Sequence, residues 1–314
     1  MNEISLLITG QIRSRAGSRD LNFELSKSNK ILKSLNSKNE IVLSTYKCEI
    51  EGIDKKNYDK LIINDDPGPD FYRVSPWPIG RNINRFSTNY SRMFSTTVSG
   101  LKACQNEIVI KTRIELIPSE SIKFEKWIEN ICEQIKTSSL PRIAFLSEHY
   151  NGVIFSIDGT IGTIPDTIQI SRKDVLLEIW LTSQKFWHDN FRSLTRKTIL
   201  FPITSEQIVG LNYLSLYCNF SMTKELKKLR RYYFSRQLVK AVVKSENSYF
   251  IWTKYKDSGL SLNRFKGTYE IVTPNFIKIN SSTQLLKRIA VVKIKKHYHI
   301  LRRYINSLRK LNNP

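Results

Sequence analysis

The sequence predicts an α/β protein, and three observations carry that reading. Short β-branched runs alternate with longer stretches of helical spacing through the first half of the chain. Apolar residues make up 40% of the 314 residues and aromatics 11%, enough for a real core and too much for a disordered chain. No apolar run approaches the ~18–20 residues that cross a bilayer.

The elements follow in order. Residues 4–9 (Ile-Ser-Leu-Leu-Ile-Thr) read as a first strand, which Gly10 and the polar run Gln11 to Arg19 break. Leu21, Phe23, Leu25, Ile31, Leu32 and Leu35 give residues 21–35 a helical spacing. Residues 39–45 and 60–64 read as the second and third strands, and the loop Asp65 to Asp70 follows. This strand–helix–strand alternation implies a parallel sheet with right-handed crossovers. The spacing of Ile83, Phe86, Tyr90, Met93, Phe94, Thr97 and Leu101 predicts a helix over 82–104.

Ile108, Val109 and Ile110 then read as a buried strand. It runs into Lys111, Arg113 and Glu115, alternate residues that point to one face of an extended chain. Charges crowded at the end of a buried strand suit a charged ligand in an α/β sheet. A solvated strand end with an incidental ion pair fits the same pattern. Helices are predicted from Ser119 to Lys136, Asp174 to Trp187 and Ser205 to Tyr217, with a strand over 142–147. Thr204 or Ser205 supplies the N-cap of the last helix. Gly152, Gly159 and Gly162 mark Asn151 to Pro165 as strands and turns.

Cys48, Cys104, Cys132 and Cys218 are too widely spaced for a zinc pattern and are expected as free, mostly buried thiols. His149, His188, His297 and His299 show no triad or metal spacing. No GxGxxG fingerprint is present. The N-terminus lacks the basic region of a signal peptide, so the chain is expected in the cytoplasm.

Several segments taken together resemble the WavE-type lipopolysaccharide synthesis family. They are Asn84-Arg-Phe-Ser-Thr-Asn-Tyr-Ser-Arg92, Ser99-Gly-Leu-Lys-Ala103 and Val109-Ile-Lys-Thr-Arg-Ile-Glu115. The strand end Gly10-Gln-Ile-Arg13 and Val42-Leu-Ser-Thr45 fit as well, and Ile164-Pro-Asp-Thr167 and Ser205-Glu-Gln207 are similar to later family segments. The resemblance covers roughly residues 1–215. It implies a nucleotide-sugar-dependent glycosyltransferase with a GT-A-like (Rossmann-like) mixed sheet flanked by helices, acting on a lipopolysaccharide or other surface-glycan acceptor.

On this reading the donor diphosphate is held by Gly10, Arg13, Arg92, Lys111, Arg113 and Glu115. Gly10 lets the backbone approach closely. The two cations of the motif take phosphate charge, Arg as a fork and Lys as a point charge. A divalent metal, Mg or Mn, would sit on Glu115 as a hard cation on oxygen. The family's motif ends in Asp, so the longer Glu115 puts that metal in question. An inverting transfer needs a general base, for which Asp166 and Glu206 are the candidates. An acid in the first turn of a helix also complements the dipole, which accounts for Glu206 without catalysis.

The formal net charge is +22, and no Asp or Glu follows Glu270. Residues 283–310 alternate apolar and basic positions near helical spacing, which predicts a basic amphipathic helix or helix pair. We therefore expect two units: a transferase domain over 1–220 and a basic, mainly helical C-terminal region over 221–314. The second would hold the protein at an anionic membrane surface, on the inner face of the plasma membrane. The rival class is a non-catalytic nucleic-acid-binding protein, for which the basic residues would neutralise phosphates and Tyr232, Tyr233, Phe234, Tyr298 and Tyr304 would stack on bases.

Overall fold

The computed structural model describes residues 3–10, 21–47, 52–74, 84–113, 116–118, 120–146, 164–196, 204–221, 236–253 and 258–262. In chain order these form β1 (Ile4–Thr9), α1 (Leu21–Leu35), β2 (Glu40–Tyr46), β3 (Lys60–Asn64), β4 (Asp70–Val74), β5 (Asn84–Thr88), α2 (Tyr90–Ala103) and β6 (Ile108–Arg113). They continue as β7 (Leu116–Pro118), α3 (Ser121–Lys136), β8 (Ile143–Leu146), β9 (Ile168–Arg172), α4 (Lys173–Arg196), α5 (Ser205–Tyr217), α6 (Arg236–Ser248), β10 (Phe250–Thr253) and β11 (Leu260–Leu262). Arg13, Glu115, Cys48, the glycine-rich residues 151–163 and the basic segment 283–314 lie outside the described residues.

Seven strands make one sheet in the order β10-β8-β9-β6-β1-β2-β3. β1 pairs in parallel with both β2 and β6, and β2 with β3. β9 runs antiparallel to β6 and to β8, while β10 and β8 are parallel. The sheet is thus mixed and Rossmann-like, with helices on both faces. Chain order moves outward from β1 through β2 to β3, then returns to the other side of β1 as β6. That reversal places a topological switch point between the carboxyl ends of β1 and β6.

Each strand divides its side chains between two cores, as the two-residue period requires. Ile4, Leu6, Ile8, Ile108 and Ile110 pack under α1 and α3, with Phe124, Ile128 and Ile131. Leu7, Val42 and Val109 face α2, α4, α5 and α6, with Phe94, Trp180 and Leu211. Gly100 lets α2 lie close on the sheet. A Cβ there would sit 2.3 Å from Leu7 Cδ1 and 3.0 Å from Ser44 Cβ.

The single helix expected over 82–104 is corrected to a strand followed by a helix. Asn84–Thr88 pairs antiparallel with β4, and α2 starts only at Tyr90. Asp70 fixes that start: its Oδ2 accepts from the Ser91 backbone N–H at 2.8 Å and its Oδ1 from Ser91 Oγ at 2.5 Å. A carboxylate bonding first-turn N–H groups defines a helix N-terminus, which the apolar period alone does not reveal. Arg85 therefore lies on β5 and shares no helix with Arg92. The helix expected over Asp174 to Trp187 runs on to Arg196. The sheet also crosses the boundary expected at residue 220, since β10 pairs with β8. Cys104, Cys132 and Cys218 are free and buried. No helix of the described residues is long and apolar enough to cross a membrane.

Candidate active site

A cavity of about 210 Å³ opens at the switch point. Thr9 and Gly10 at the end of β1, Tyr46 at the end of β2, and Lys111 and Arg113 on β6 line it. Tyr90, Arg92, Met93 and Thr96 from α2, Asp166 from the segment before β9, and Ser205 and Glu206 from the start of α5 close it. β9 is antiparallel to β6, so its beginning meets the end of β6. That is how Asp166 comes to lie beside Arg113.

Gly10 has φ +125, which a side chain rarely adopts, and a Cβ there would meet nothing within 4 Å. The residue is glycine for its backbone conformation, and it turns the chain at the rim. Its carbonyl accepts from Thr45 Oγ1 at 3.0 Å.

Arg113 is a quarter exposed, and its Nη1 lies 3.5 Å from Asp166 Oδ2, a carboxylate that is 7% exposed. Arg92 makes a fork on Asp66, with Nε to Oδ1 at 2.6 Å and Nη2 to Oδ2 at 2.5 Å. That guanidinium holds the Asp66 carboxyl below its usual range. Tyr46 Oη donates to the Arg92 carbonyl and ties β2 to α2.

Lys111 is fully buried. Its ammonium donates to the Asp166 backbone carbonyl and lies 4.9 Å from the centre of the Trp180 ring. Burial pushes the amine down to about 8. Asp166 and Glu206 oppose that shift, and Arg113 adds to it. Glu206 moves the other way. Burial holds its carboxyl above the ordinary range, Asp166 adds to this, and the hydrogen bond from Ser205 Oγ at 3.0 Å opposes it. Thr204 caps α5 by accepting from the Gln207 N–H at 3.2 Å.

The sequence expectations divide cleanly. Gly10, Arg92, Lys111, Arg113, Asp166 and Glu206 meet in one cavity, whereas Arg13 and Glu115 lie outside the described residues. Lys111 lines the floor of the cavity with no exposed surface, its ammonium bonded to the Asp166 carbonyl and near the Trp180 ring. Tyr46, Tyr90, Met93, Thr96 and the Asp66 partner of Arg92 were not anticipated. Asp66 had a signal, since its Asp-Asp-Pro-Gly loop directly follows a strand end. Tyr46 also ends a strand. The α2 residues were hidden by the misplaced helix start.

No group of three His, Cys, Asp or Glu able to hold a metal ion occurs among the described residues. Of the two carboxylates in the cavity, Asp166 faces Arg113 and burial holds the Glu206 carboxyl above its ordinary range.

The family described as WavE lipopolysaccharide synthesis matches residues 4–231. The chain belongs to that family. The matched span runs through every lining residue of the cavity, so the site is a feature of the WavE region itself. Among solved structures this WavE chain is similar to 4-diphosphocytidyl-2C-methyl-D-erythritol synthase from Anaerococcus prevotii DSM 20548. The identity is 13%, the coverage 93% of this chain and 96% of that one, and the TM-score 0.35. It is also similar to a CMP:2-keto-3-deoxy-manno-octonic acid synthetase complexed with CTP, at 10% identity, 94% and 100% coverage and a TM-score of 0.35. No curated protein matches the sequence.

Proposed function

We propose that this protein is a nucleotide-sugar-dependent glycosyltransferase of GT-A type that builds lipopolysaccharide or another surface glycan. One observation carries the reading: a cavity at the β1/β6 switch point brings two guanidinium groups and two carboxylates together, in a chain of a lipopolysaccharide synthesis family. Ligands of open α/β sheets bind at this position. Arg113 and Arg92 are the cations at its edge; forked donors suit a diphosphate, which would have to compete with Asp66 for the fork of Arg92.

In the reaction we assign, Glu206 accepts the proton of the acceptor hydroxyl. The acceptor oxygen forms a bond to the anomeric carbon of the donor. The bond from that carbon to the phosphate oxygen breaks, and the nucleoside diphosphate leaves with the electron pair. Arg113 and Arg92 take up the charge that develops on it. Glu206 is preferred to Asp166 as base because a raised carboxyl pKa lies closer to working pH. Asp166, held against Arg113, orients that guanidinium. No step is assigned to a metal. The basic segment 283–314 is proposed to keep the enzyme at an anionic membrane, near a lipid-linked acceptor.

Calorimetric titration with a panel of nucleotide sugars, followed by transfer and slow-hydrolysis assays, tests the proposal. One donor is expected to bind and turn over. Arg113→Ala should weaken its binding roughly 10- to 100-fold, from the ~1.5–3 kcal/mol of a hydrogen bond to a charged group. If every donor leaves the calorimetric signal flat and none is hydrolysed, the proposal fails.

A further inference from the structure

We infer that Lys111, with its cross-strand partner Gln169, is a positioning residue that holds the segment carrying Asp166, and is not a ligand of the donor phosphates. This inference rests on the proposed site and reassigns one of its members.

Lys111 on β6 and Gln169 on β9 stand opposite each other in the sheet register. Both are fully buried. Their side chains reach two consecutive carbonyls of the same segment. Gln169 Nε2 donates to Pro165 O at 2.9 Å, and Lys111 Nζ donates to Asp166 O. Gln169 is itself held, because its Oε1 accepts from Trp180 Nε1 at 2.7 Å, and the same Trp180 ring covers Lys111. Backbone bonds complete the clamp: the Ile164 N–H donates to Glu206 O at 2.9 Å, and the Arg113 N–H to Thr167 O at 3.1 Å. Each residue from 164 to 167 is therefore tied to β6, β9 or the start of α5.

A buried ammonium is costly to desolvate, and a neutral side chain would fill this space more cheaply. What the ammonium provides is a bond to a carbonyl that no apolar residue can make. The groups facing it are Asp166, Arg113 and Glu206, the residues whose relative placement the proposed reaction needs. A residue with no exposed surface, already donating to a backbone carbonyl, is badly placed to meet a phosphate. It is well placed to fix the segment that orients Arg113.

Lys111→Met and Gln169→Leu test this against Arg113→Ala. Both clamp variants are expected to weaken donor binding several-fold less than Arg113→Ala does, while kcat falls roughly 10- to 100-fold because the site is misplaced. The acidic limb of the kcat/KM profile should move to higher pH in Lys111→Met only, since a cation facing Glu206 has gone. Hydrogen exchange of the peptide spanning 164–170 reads the same inference without any donor, and it should rise in both variants. If Lys111→Met does not fold, the uncharged change Gln169→Leu decides alone. Loss of donor affinity as large as in Arg113→Ala would overturn the inference, as would unchanged exchange over 164–170. Faster exchange in a protein whose wild type turns over no donor leaves the clamp in place and removes the transferase reading instead.

Discussion

The two ends of the central sheet each carry a glutamate, buried Glu40 at one and half-buried Glu206 at the other, and they treat it in opposite ways. At the amino end Glu40 opens β2 with its side chain 7% exposed and receives three donors. Ser5 Oγ lies 2.6 Å from its Oε1, the Gln105 N–H 2.5 Å from the same oxygen, and Lys60 Nζ 2.9 Å from Oε2. Burial alone would raise this carboxyl, yet the three donors outweigh it and the net shift is downward. At the carboxyl end Glu206 has the Ser205 hydroxyl and its own helix start against burial and Asp166, and burial wins. The neighbouring polar groups repeat the contrast. Asn39 accepts from the Ile4 N–H and donates to the Leu32 carbonyl, both at 2.8 Å. Lys111 by comparison keeps a depressed amine over an aromatic ring. A charge buried to close a fold is surrounded by donors until its charged form is favoured. The carboxyl end, where burial outweighs the donors, is the end that holds the proposed site.

The contrast breaks if both glutamates answer mutation alike. The largest expected effect is on turnover. Glu206→Gln keeps the shape of the carboxyl and removes its basicity, so kcat should fall by roughly 10²–10⁴, the usual contribution of a general base. Donor affinity should stay near that of wild type, and Glu40→Gln should turn over normally. A fully active Glu206→Gln enzyme would return the role of base to Asp166. Next in size is stability. Glu40→Ala leaves Ser5, the Gln105 N–H and Lys60 without their common acceptor, and should cost ~2–3 kcal/mol in urea denaturation. A loss under ~1 kcal/mol would show that water replaces the carboxylate there, and the two ends would then differ less than their hydrogen bonds indicate.

The sequence made the sheet legible because its signal is strong there. β1, β2, β3, β6 and β8 are largely apolar runs between polar breaks, and the two-residue period that places Lys111 and Arg113 on one face holds in the structure. α1, α3 and α5 announced themselves by apolar spacing, and α5 also by Thr204 at its cap. β4, β5, β7 and β10 were not legible. Each is five residues or fewer and takes its strand character from a partner remote in sequence. β5 has Phe86 in phase with the apolar period of α2, so the period runs through a boundary that only Asp70, twenty-one residues upstream of Ser91, defines. Gly10, Arg92, Lys111, Arg113, Asp166 and Glu206, singled out by residue type and order, line one cavity. The burial of Lys111 was not legible, because a strand pattern tells which face a side chain takes and not whether a tryptophan from a distant helix closes over it.

The smallest expected effect is on stability as pH changes, and its sign should differ between the two ends. Glu206 binds its proton more tightly in the folded protein than in the unfolded chain. Between the ordinary glutamate value of about 4.3 and its raised folded value, the folded state therefore holds the extra proton, and stability falls as pH rises. Glu40 is the reverse. Its folded carboxyl lies below the ordinary value, so its contribution is present above about 4.3 and is lost as pH falls through the folded value. Glu206→Gln, neutral at every pH, should consequently melt higher than wild type at pH 7–8, by roughly 2–4 °C for each kcal/mol recovered, and lose that advantage toward pH 4. Glu40→Gln should melt lower at neutral pH, and its deficit should shrink in acid. Thermal unfolding of the three proteins from about pH 2.5 to about pH 8 reads both signs in one experiment. Two variants that shift in the same direction across that range would mean that burial, not the count of donors, governs both carboxylates.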